Sequence, residues 1–434
     1  MRDDPRLPSA PGFWRSPLRG PWFTSVLGLV LLAGVTVLFV TGLLSYAAYN
    51  PDLAPVNDKT PDKGILGLYL LAWPTDPHWL YRLNQGVHVT LGITLIPVLL
   101  AKLWSVVPKL FALPPARSLA HALERISLLL LVGGALFEFV TGVLNVQLDY
   151  AFPGSFYPLH FYGAWVFFAA FAAHAALKSP AAVRNLRGLR DEREPRPGTD
   201  PTTGTDPTTG ADPTTGADPL VSPRPDPPTV SRRGALGFVG GGALLLFATT
   251  AGQTTDGPLR RTALLAPHGG ADPGTGPNGF QINKTARYAG IRPSQTSPDA
   301  WRLVVTGRTG TVRLTHDDLL RLPPHSAALP IACVEGWSTS DQWWRGVRLR
   351  DLAALVGPDD DPPDVFVESL QLRGAFRRAA LRANQVADPR SLLALYVNGE
   401  ELSPDHGHPA RIIVPAAPGV LNTKWVARLT FGDL

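Results

Sequence analysis

The chain has one cysteine, Cys333, and one methionine, Met1, in 434 residues. A single thiol excludes any intramolecular disulfide framework. By composition alone, a lone cysteine reads as a small buried hydrophobe. Charge is sparse too. Charged residues make up 17% of the chain and the formal net charge is only +5. Many arginines sit in loops between apolar runs, so the basicity reads as membrane topology and excludes a nucleic-acid partner. Apolar residues are plentiful at 45%. A mean hydropathy near zero hides two unlike parts: long apolar runs over 22–178 and a soluble-looking stretch over 253–434.

A bilayer core of ~30 Å needs about 20 apolar residues per helix. Four segments meet that: Phe23–Tyr49, Val87–Val107, Ile126–Val146 and Tyr157–Leu177. A fifth, Ala235–Ala251, is shorter and contains Gly240, Gly241 and Gly242. Cations crowd alternate loops: Arg2, Arg6, Arg15 and Arg19; then Lys102, Lys109, Arg117 and Arg125; then Lys178, Arg184, Arg187, Arg190 and Arg193. The intervening loops have only Lys59, Lys63 and Arg82, and none over 147–156. This bias puts the N-terminus (1–20) and the 181–230 linker in the cytoplasm. The fifth helix then delivers the C-terminal region to the outer face of a multi-pass membrane protein. Leu38-Phe-Val-Thr-Gly-Leu-Leu44 echoes Phe137-Glu-Phe-Val-Thr-Gly-Val-Leu144. The echo reads either as two related helical hairpins or as chance similarity among apolar segments.

Ionisable groups inside a span are costly and are functional by default. His88 and His160 fall at the outer depth, while His121 and His174 fall at the inner depth. His160 and His174 are 14 residues apart, about 21 Å along a helix and close to four full turns. Both rings therefore share one face, as two stacked haems gripped by paired imidazoles in a four-helix bundle would require. His121, in a basic interfacial loop, reads as a haem ligand or as a solvated residue. Fourteen residues past His88 stands Lys102, so one haem b is the firmer expectation and a second the further one. Glu138, mid-helix, reads as a proton relay, a quinone contact or a hydrogen-bonding group within the bundle. Residues 21–180 resemble the membrane-bound di-haem cytochromes b.

Asp-Pro-Thr-Thr-Gly recurs at Asp200, Asp206 and Asp212. Such a repeat cannot bury a core and is expected to be a disordered tether. Ser231-Arg232-Arg233 precedes the last apolar run, so 231–252 resembles an internal twin-arginine export signal; an ordinary cationic flank is the alternative. After an outer linker over 253–278, the pattern changes. Trp301–Thr306 and Asp364–Leu372 read as strands, and Asp317–Leu322 and Leu349–Leu355 as short helices. The domain over 279–434 is therefore α+β.

Two stretches of it carry chemistry. One is Ala332-Cys333-Val-Glu-Gly-Trp337, and the other runs from Glu400 through Asp405-His406-Gly407 and Pro409-Ala410-Arg411 to Thr423-Lys424-Trp425. Together they resemble the molybdenum-cofactor domain of the sulfite oxidase family. The resemblance implies that Cys333 is the catalytic thiolate ligand of a molybdenum held by molybdopterin. It also implies that His406, Arg411 and Lys424 contact the cofactor. Phe280-Gln-Ile-Asn-Lys-Thr285 resembles the family's first cofactor-contacting loop, adding Asn283 and Lys284. Cations suit the pterin's phosphate. Family members acting on sulfite place arginines near the cysteine, whereas this chain has Glu335, Trp337 and Ser338. The chain ends at Leu434, so the C-terminal dimerisation domain of classical sulfite oxidases is not expected.

The fold class expected is therefore multidomain: an all-α transmembrane four-helix bundle, one further transmembrane helix, then an α+β sulfite-oxidase-type molybdopterin domain. The function expected is oxygen-atom transfer on a small molecule or an oxidised side chain outside the cell, with electrons passing through haem b to or from the quinone pool. Membrane lipid is the other partner. Two rivals stay open. One is a haem-only conduit or sensor with a non-catalytic outer module, and the other is a membrane half that merely anchors.

Overall fold

The computed structural model describes residues 7–10, 13–56, 71–111, 118–146, 156–191, 226–255, 258–267, 272–357, 361–372 and 377–434. The repeat tether expected near 198–219 lies outside them, as do the outer loop over 147–155 and the side chain of His121.

Among the described residues, five helices are long and apolar enough to cross a membrane. They lie in α1 Pro21–Ala47, α2 Leu80–Leu110, α3 Leu119–Asn145, α4 Tyr157–Asp191 and α5 Arg232–Ala248. Apolar side chains point outward from them. Phe238 on α5 is 87% exposed, and α5 buries none of its residues. In water this would be unfavourable; it suits helices whose outer surface meets lipid. α2 starts at Leu80 and not at Val87, because its polar first turns are satisfied. Arg82 Nε donates to Thr254 O at 2.7 Å and Asn84 Nδ2 to Thr41 O at 2.9 Å.

The chain divides into two compact units. One comprises 1–37, 94–139 and 163–246 and is helical throughout its named long elements. Close packing there depends on missing side chains. A Cβ on Gly34 would come within 2.5 Å of Leu95, and one on Gly163 within 2.2 Å of the Glu138 carboxylate. Lys102 Nζ donates to Thr24 O at 2.6 Å, tying α2 to α1.

The other unit comprises 38–93, 140–162 and 247–434. It joins helix ends to the α+β region. Five strands form one sheet in the order β2-β1-β10-β5-β6. They are β1 Leu303–Gly307, β2 Gly310–Leu314, β5 Val365–Ser369, β6 Arg378–Leu381 and β10 Val426–Phe431. β10 runs parallel to β1 with Val305 opposite Leu429, and antiparallel to β5 with Leu429 opposite Val367. The second sheet runs β3 His325–Leu329, β4 Gln342–Arg348, β7 Leu392–Val397 and β8 Glu400–Glu401, with β9 Arg411–Ile413 also on β7. Short helices complete the domain: α6 Pro293–Thr296, α7 His316–Arg321, α8 Leu349–Ala354 and α9 Ala383–Ala387. α7 starts where a capping box permits. Thr315 Oγ1 accepts from Asp318 N, and Asp318 Oδ2 accepts from Thr315 N. Val305, Leu319, Leu352, Val367, Leu393, Ile412 and Leu429 share one core contributed by both sheets. Truncating one of these leucines to alanine costs ~2–5 kcal/mol.

The helix ends are locked to this domain. Trp73 Nε1 donates to Ala416 O at 2.7 Å, and Asn50 Nδ2 donates to Ala380 O and Gln385 Oε1. Ala47, Ala48, Trp73 and Tyr81 pack with Ala332, next to the lone cysteine.

Candidate active site and a histidine pair

β3 ends at Leu329, and the chain enters a tight turn that presents Cys333. Cys333 N donates to Trp337 O at 2.8 Å and Gly336 N to Cys333 O at 3.1 Å. The turn needs glycine at 336, where φ is +91°. The thiol is 4% exposed and hydrogen-bonds the Glu335 carboxylate. Burial, and then the adjacent Glu335 charge, push its pKa well above the ordinary thiol value. A free thiol so placed is a poor nucleophile. A bound metal would remove the proton and turn the same burial into a dry ligand site.

The opposite wall comes from the 404–425 stretch. Pro404–His406 forms a short 3-10 turn closed by Gly407 at φ +113°. A Cβ there would press on Lys424 and Arg411 at about 3.1–3.2 Å. His406 is 1% exposed, stacks on Phe280 with ring centroids 3.8 Å apart, and contacts Asn278 O through Nε2 at 2.9 Å. Its pKa falls to about 3, because burial and then the Arg411 and Lys424 charges disfavour the imidazolium. Arg411, at the start of β9, is 2% exposed and donates to His406 O and Asn422 O. Lys424 Nζ donates to Lys284 O at 2.9 Å and Asp405 O at 2.7 Å. Burial drives the Arg411 pKa down to about 9 and that of Lys424 well below its usual value.

Asn283, Lys284, Cys333, His406, Arg411 and Lys424 thus line one cleft, joined there by Gln281, Gln371, Asn422 and Thr423. None of the last four was singled out in the sequence, although Gln281 lies within the quoted Phe280–Thr285 stretch. Asn422 and Thr423 merely precede Lys424 in the quoted stretch, and Gln371 follows β5 without a motif. The cleft holds buried polar atoms without partners: Arg411 Nε, Asn422 Nδ2, Thr423 Oγ1 and Trp337 Nε1. Orphaned donors beside buried cations cost free energy unless an anion with several acceptors occupies the space. A pterin with a terminal phosphate supplies such acceptors, and Cys333 supplies the soft thiolate. The residues present fit the cofactor.

A family model described as "Oxidoreductase molybdopterin binding domain" matches residues 289–433. The catalytic subunit of protein-methionine-sulfoxide reductase, MsrP, of Gluconobacter oxydans is 30% identical over 238 residues, covering 49% of this chain and 74% of that protein. The chain belongs to the molybdopterin-binding oxidoreductase family. Rat mitochondrial sulfite oxidase, another relative in this molybdopterin family, is 31% identical over 159 residues, or 31% of this chain. The chain spans only 29% of that enzyme's length. A solved relative, the sulfane dehydrogenase SoxCD of Paracoccus pantotrophus, is 26% identical over 32% of this chain and 39% of its own, with a TM-score of 0.29.

The same compact unit of this molybdopterin oxidoreductase contains a second constellation. His88 on α2 faces His160 on α4 with ring centroids 6.2 Å apart and planes at 87°. Thr41 Oγ1 contacts His88 Nδ1 at 3.0 Å, and Thr141 Oγ1 contacts His160 Nδ1 at 3.0 Å. Gly42 and Gly142 give the rings room: a Cβ at either would sit 3.3 Å from Cε1 of its histidine. The Phe-Val-Thr-Gly echo is therefore a structural repeat, one cradle per histidine. Thr41 Oγ1 also donates to Leu38 O at 3.1 Å, which suits it to accept from a protonated Nδ1 of His88. With Nδ1 held in this way, Nε2 is the nitrogen that a metal would take, as in a metal-ligating imidazole whose other nitrogen is held. Two imidazoles bound to one metal at ~2 Å per bond would set their centroids about 6 Å apart. The pair fits a haem iron. His174 is half-buried and lies in the helical unit, on the part of α4 beyond residue 163. The corresponding Lys102 is committed to Thr24 O.

Proposed function

We propose that this chain is a membrane-bound oxidoreductase that removes an oxygen atom from a neutral S-oxide or N-oxide outside the cell. Electrons reach it from the quinone pool through one haem b held by His88 and His160. The observation that carries this reading is the cleft that gathers Cys333, three cations and four orphaned buried donors. Molybdenum and its pterin, when bound, supply two-electron oxygen-atom chemistry. Cys333 Sγ anchors the metal, while Lys284, Arg411 and Lys424 balance the pterin phosphate. Trp337 Nε1–H lines the cleft as a free donor for a substrate oxygen. The overall reaction consumes two electrons and two protons, and converts R2SO to R2S and water.

The charge beside Cys333 favours a neutral substrate. Glu335 is buried against the thiol, and the cysteine turn has no cation of its own over Val334–Ser340; Arg260 reaches it from outside, donating to Ser338 O. A sulfite dianion would meet like charge at Glu335, whereas an S-oxide would not. The name of the Gluconobacter relative, a methionine-sulfoxide reductase, supports the reductive direction. The outward apolar surface of five long helices, with cations in alternate loops, supports an N-terminus in the cytoplasm and a catalytic domain outside. Buried Glu138 suits proton exchange with a quinone.

The test is made on full-length protein in detergent. Molybdenum and pterin per chain, and the reduced-minus-oxidised visible spectrum, are measured on one sample. Dimethyl sulfoxide, methionine sulfoxide, trimethylamine N-oxide and sulfite are then offered. Stoichiometric molybdenum, a b-type band and oxide-dependent haem oxidation are expected. Haem without molybdenum in folded protein would leave an electron conduit and sink the catalytic reading.

A further inference from the structure

The first turns of α2 present Arg82, Gln85, Gly86 and Val89 on one face, at the i, i+3, i+4 and i+7 spacing of a helix. Every one of them meets the catalytic domain or the segment leading into it. Arg82 Nε donates to Thr254 O at 2.7 Å, and Gly86 leaves room for the Thr254 methyl, which a Cβ would approach to 2.6 Å. A Cβ on Gly336 of the cysteine turn would lie 2.7 Å from Val89 Cβ. Gln85 makes the direct polar link. Its Oε1 accepts from Ser45 Oγ at 2.8 Å, and its Nε2 donates to Val334 O at 2.5 Å. Val334 follows the metal-binding cysteine, and Gln85 precedes His88 by one helical turn.

Building on the function proposed above, we propose that Gln85 is a positioning residue for electron transfer between the two redox sites. The route runs from Cys333 to the Val334 carbonyl, across the Gln85 amide, and through one turn of α2 to His88. A hydrogen bond couples two groups electronically far better than a van der Waals gap does. Here it bridges the only non-covalent step of that route. Ser45 sets the rotamer: with its hydroxyl donating to Oε1, the amide must present N–H to Val334. Gly336 and Gly86 serve the same end: a side chain at 336 would push the cysteine turn off Val89, and one at 86 would push the Thr254 segment off the helix. Both electrons of each turnover cross this junction, one at a time.

The experiment uses detergent-purified holoenzyme whose molybdenum content and haem spectrum have been verified. Haem is pre-reduced without excess reductant and mixed with dimethyl sulfoxide, and its oxidation is followed by stopped flow. Gln85→Leu keeps the volume and removes the bond. Haem oxidation is expected to slow by roughly ten- to a hundred-fold, the range typical of lost partners around a metal ligand. Turnover driven by reduced methyl viologen, which feeds the molybdenum site directly, should stay at the wild-type rate. In protein freed of both cofactors, amide exchange over 333–337 should quicken. Ser45→Ala should move each readout the same way by less, and it serves if Gln85→Leu does not fold. Haem oxidation at the wild-type rate in both variants would overturn the inference while leaving the proposed function intact. An equal fall in viologen-driven turnover would overturn it too, by showing that Gln85 shapes the molybdenum site itself. Wild-type haem that no oxide can oxidise would overturn the function and this inference together.

Discussion

The histidine pair and the cysteine cleft lie in one compact unit but are built on opposite plans. The pair is made from a repeat. The same Thr-Gly dipeptide on α1 and α3 orients one ring each, at the same 3.0 Å distance, with the same glycine clearance. The cleft is made from unrelated pieces: a turn after β3, a 3-10 turn, the start of β9 and the loop before α6. The first site is apolar and closed by hydroxyls. The second carries buried cations with donors left open. A symmetric ligand set needs only two copies of one solution. An asymmetric anion with a phosphate, a pterin and a metal needs a different group at every point.

The contrast predicts separable failures. The largest is Cys333→Ser, which should abolish oxide reduction, by at least about a thousandfold if the thiolate anchors the metal, while the haem spectrum persists. His88→Ala or His160→Ala should do the reverse, removing the b-type band and quinol-driven turnover and sparing viologen-driven turnover. A joint loss in either case would break the distinction between the sites. Arg411→Ala should come next. It strands His406 O and Asn422 O in the interior and should cost ~2–4 kcal/mol, read as a lower denaturation midpoint and as loss of bound pterin.

A pH effect follows. His406 titrates near 3 when folded and near its ordinary value of ~6.5 when unfolded. Between those values the unfolded chain binds a proton that the folded chain does not. Stability is therefore full above about pH 6.5 and falls as pH drops toward 3, by up to ~1.4 kcal/mol per pH unit. Denaturation of cofactor-free protein at several pH values should show this slope, and His406→Asn should flatten it. The smallest effect should come from Thr41→Ala and Thr141→Ala, each about 1 kcal/mol. Matching shifts in haem midpoint potential would sharpen the repeat argument; a large shift in only one would break it.

Much of this was legible in the residues. Depth alone paired His88 with His160, because helices two and four run the same way. The cysteine turn and the 400–425 stretch could be identified because they resemble the molybdenum-cofactor motifs of the sulfite oxidase family. The docking face of α2 was not legible. Arg82, Gln85 and Gly86 look like the frayed polar start of an apolar run until their partners at 254 and 334 are known. Lys102 showed the reverse problem. Its place in the spacing suggested a missing ligand, whereas its contact with Thr24 explains it as a tie between helices. Gln371 had no signal, since an amide beside a cofactor looks like any surface amide in sequence, and Gln281 was quoted within its loop without being singled out.

The sheet order has a consequence for biosynthesis. β10 is the middle strand of its sheet, flanked by β1 and β5, yet it is the last of them to leave the ribosome. No strand made earlier can take its place, so vectorial folding must stop short with β1 and β5 unpaired on one side. Lys424 and Trp425 enter the cleft with that same strand. The sheet therefore cannot complete until β10 has been made, and the cofactor would find Lys424 in place only then.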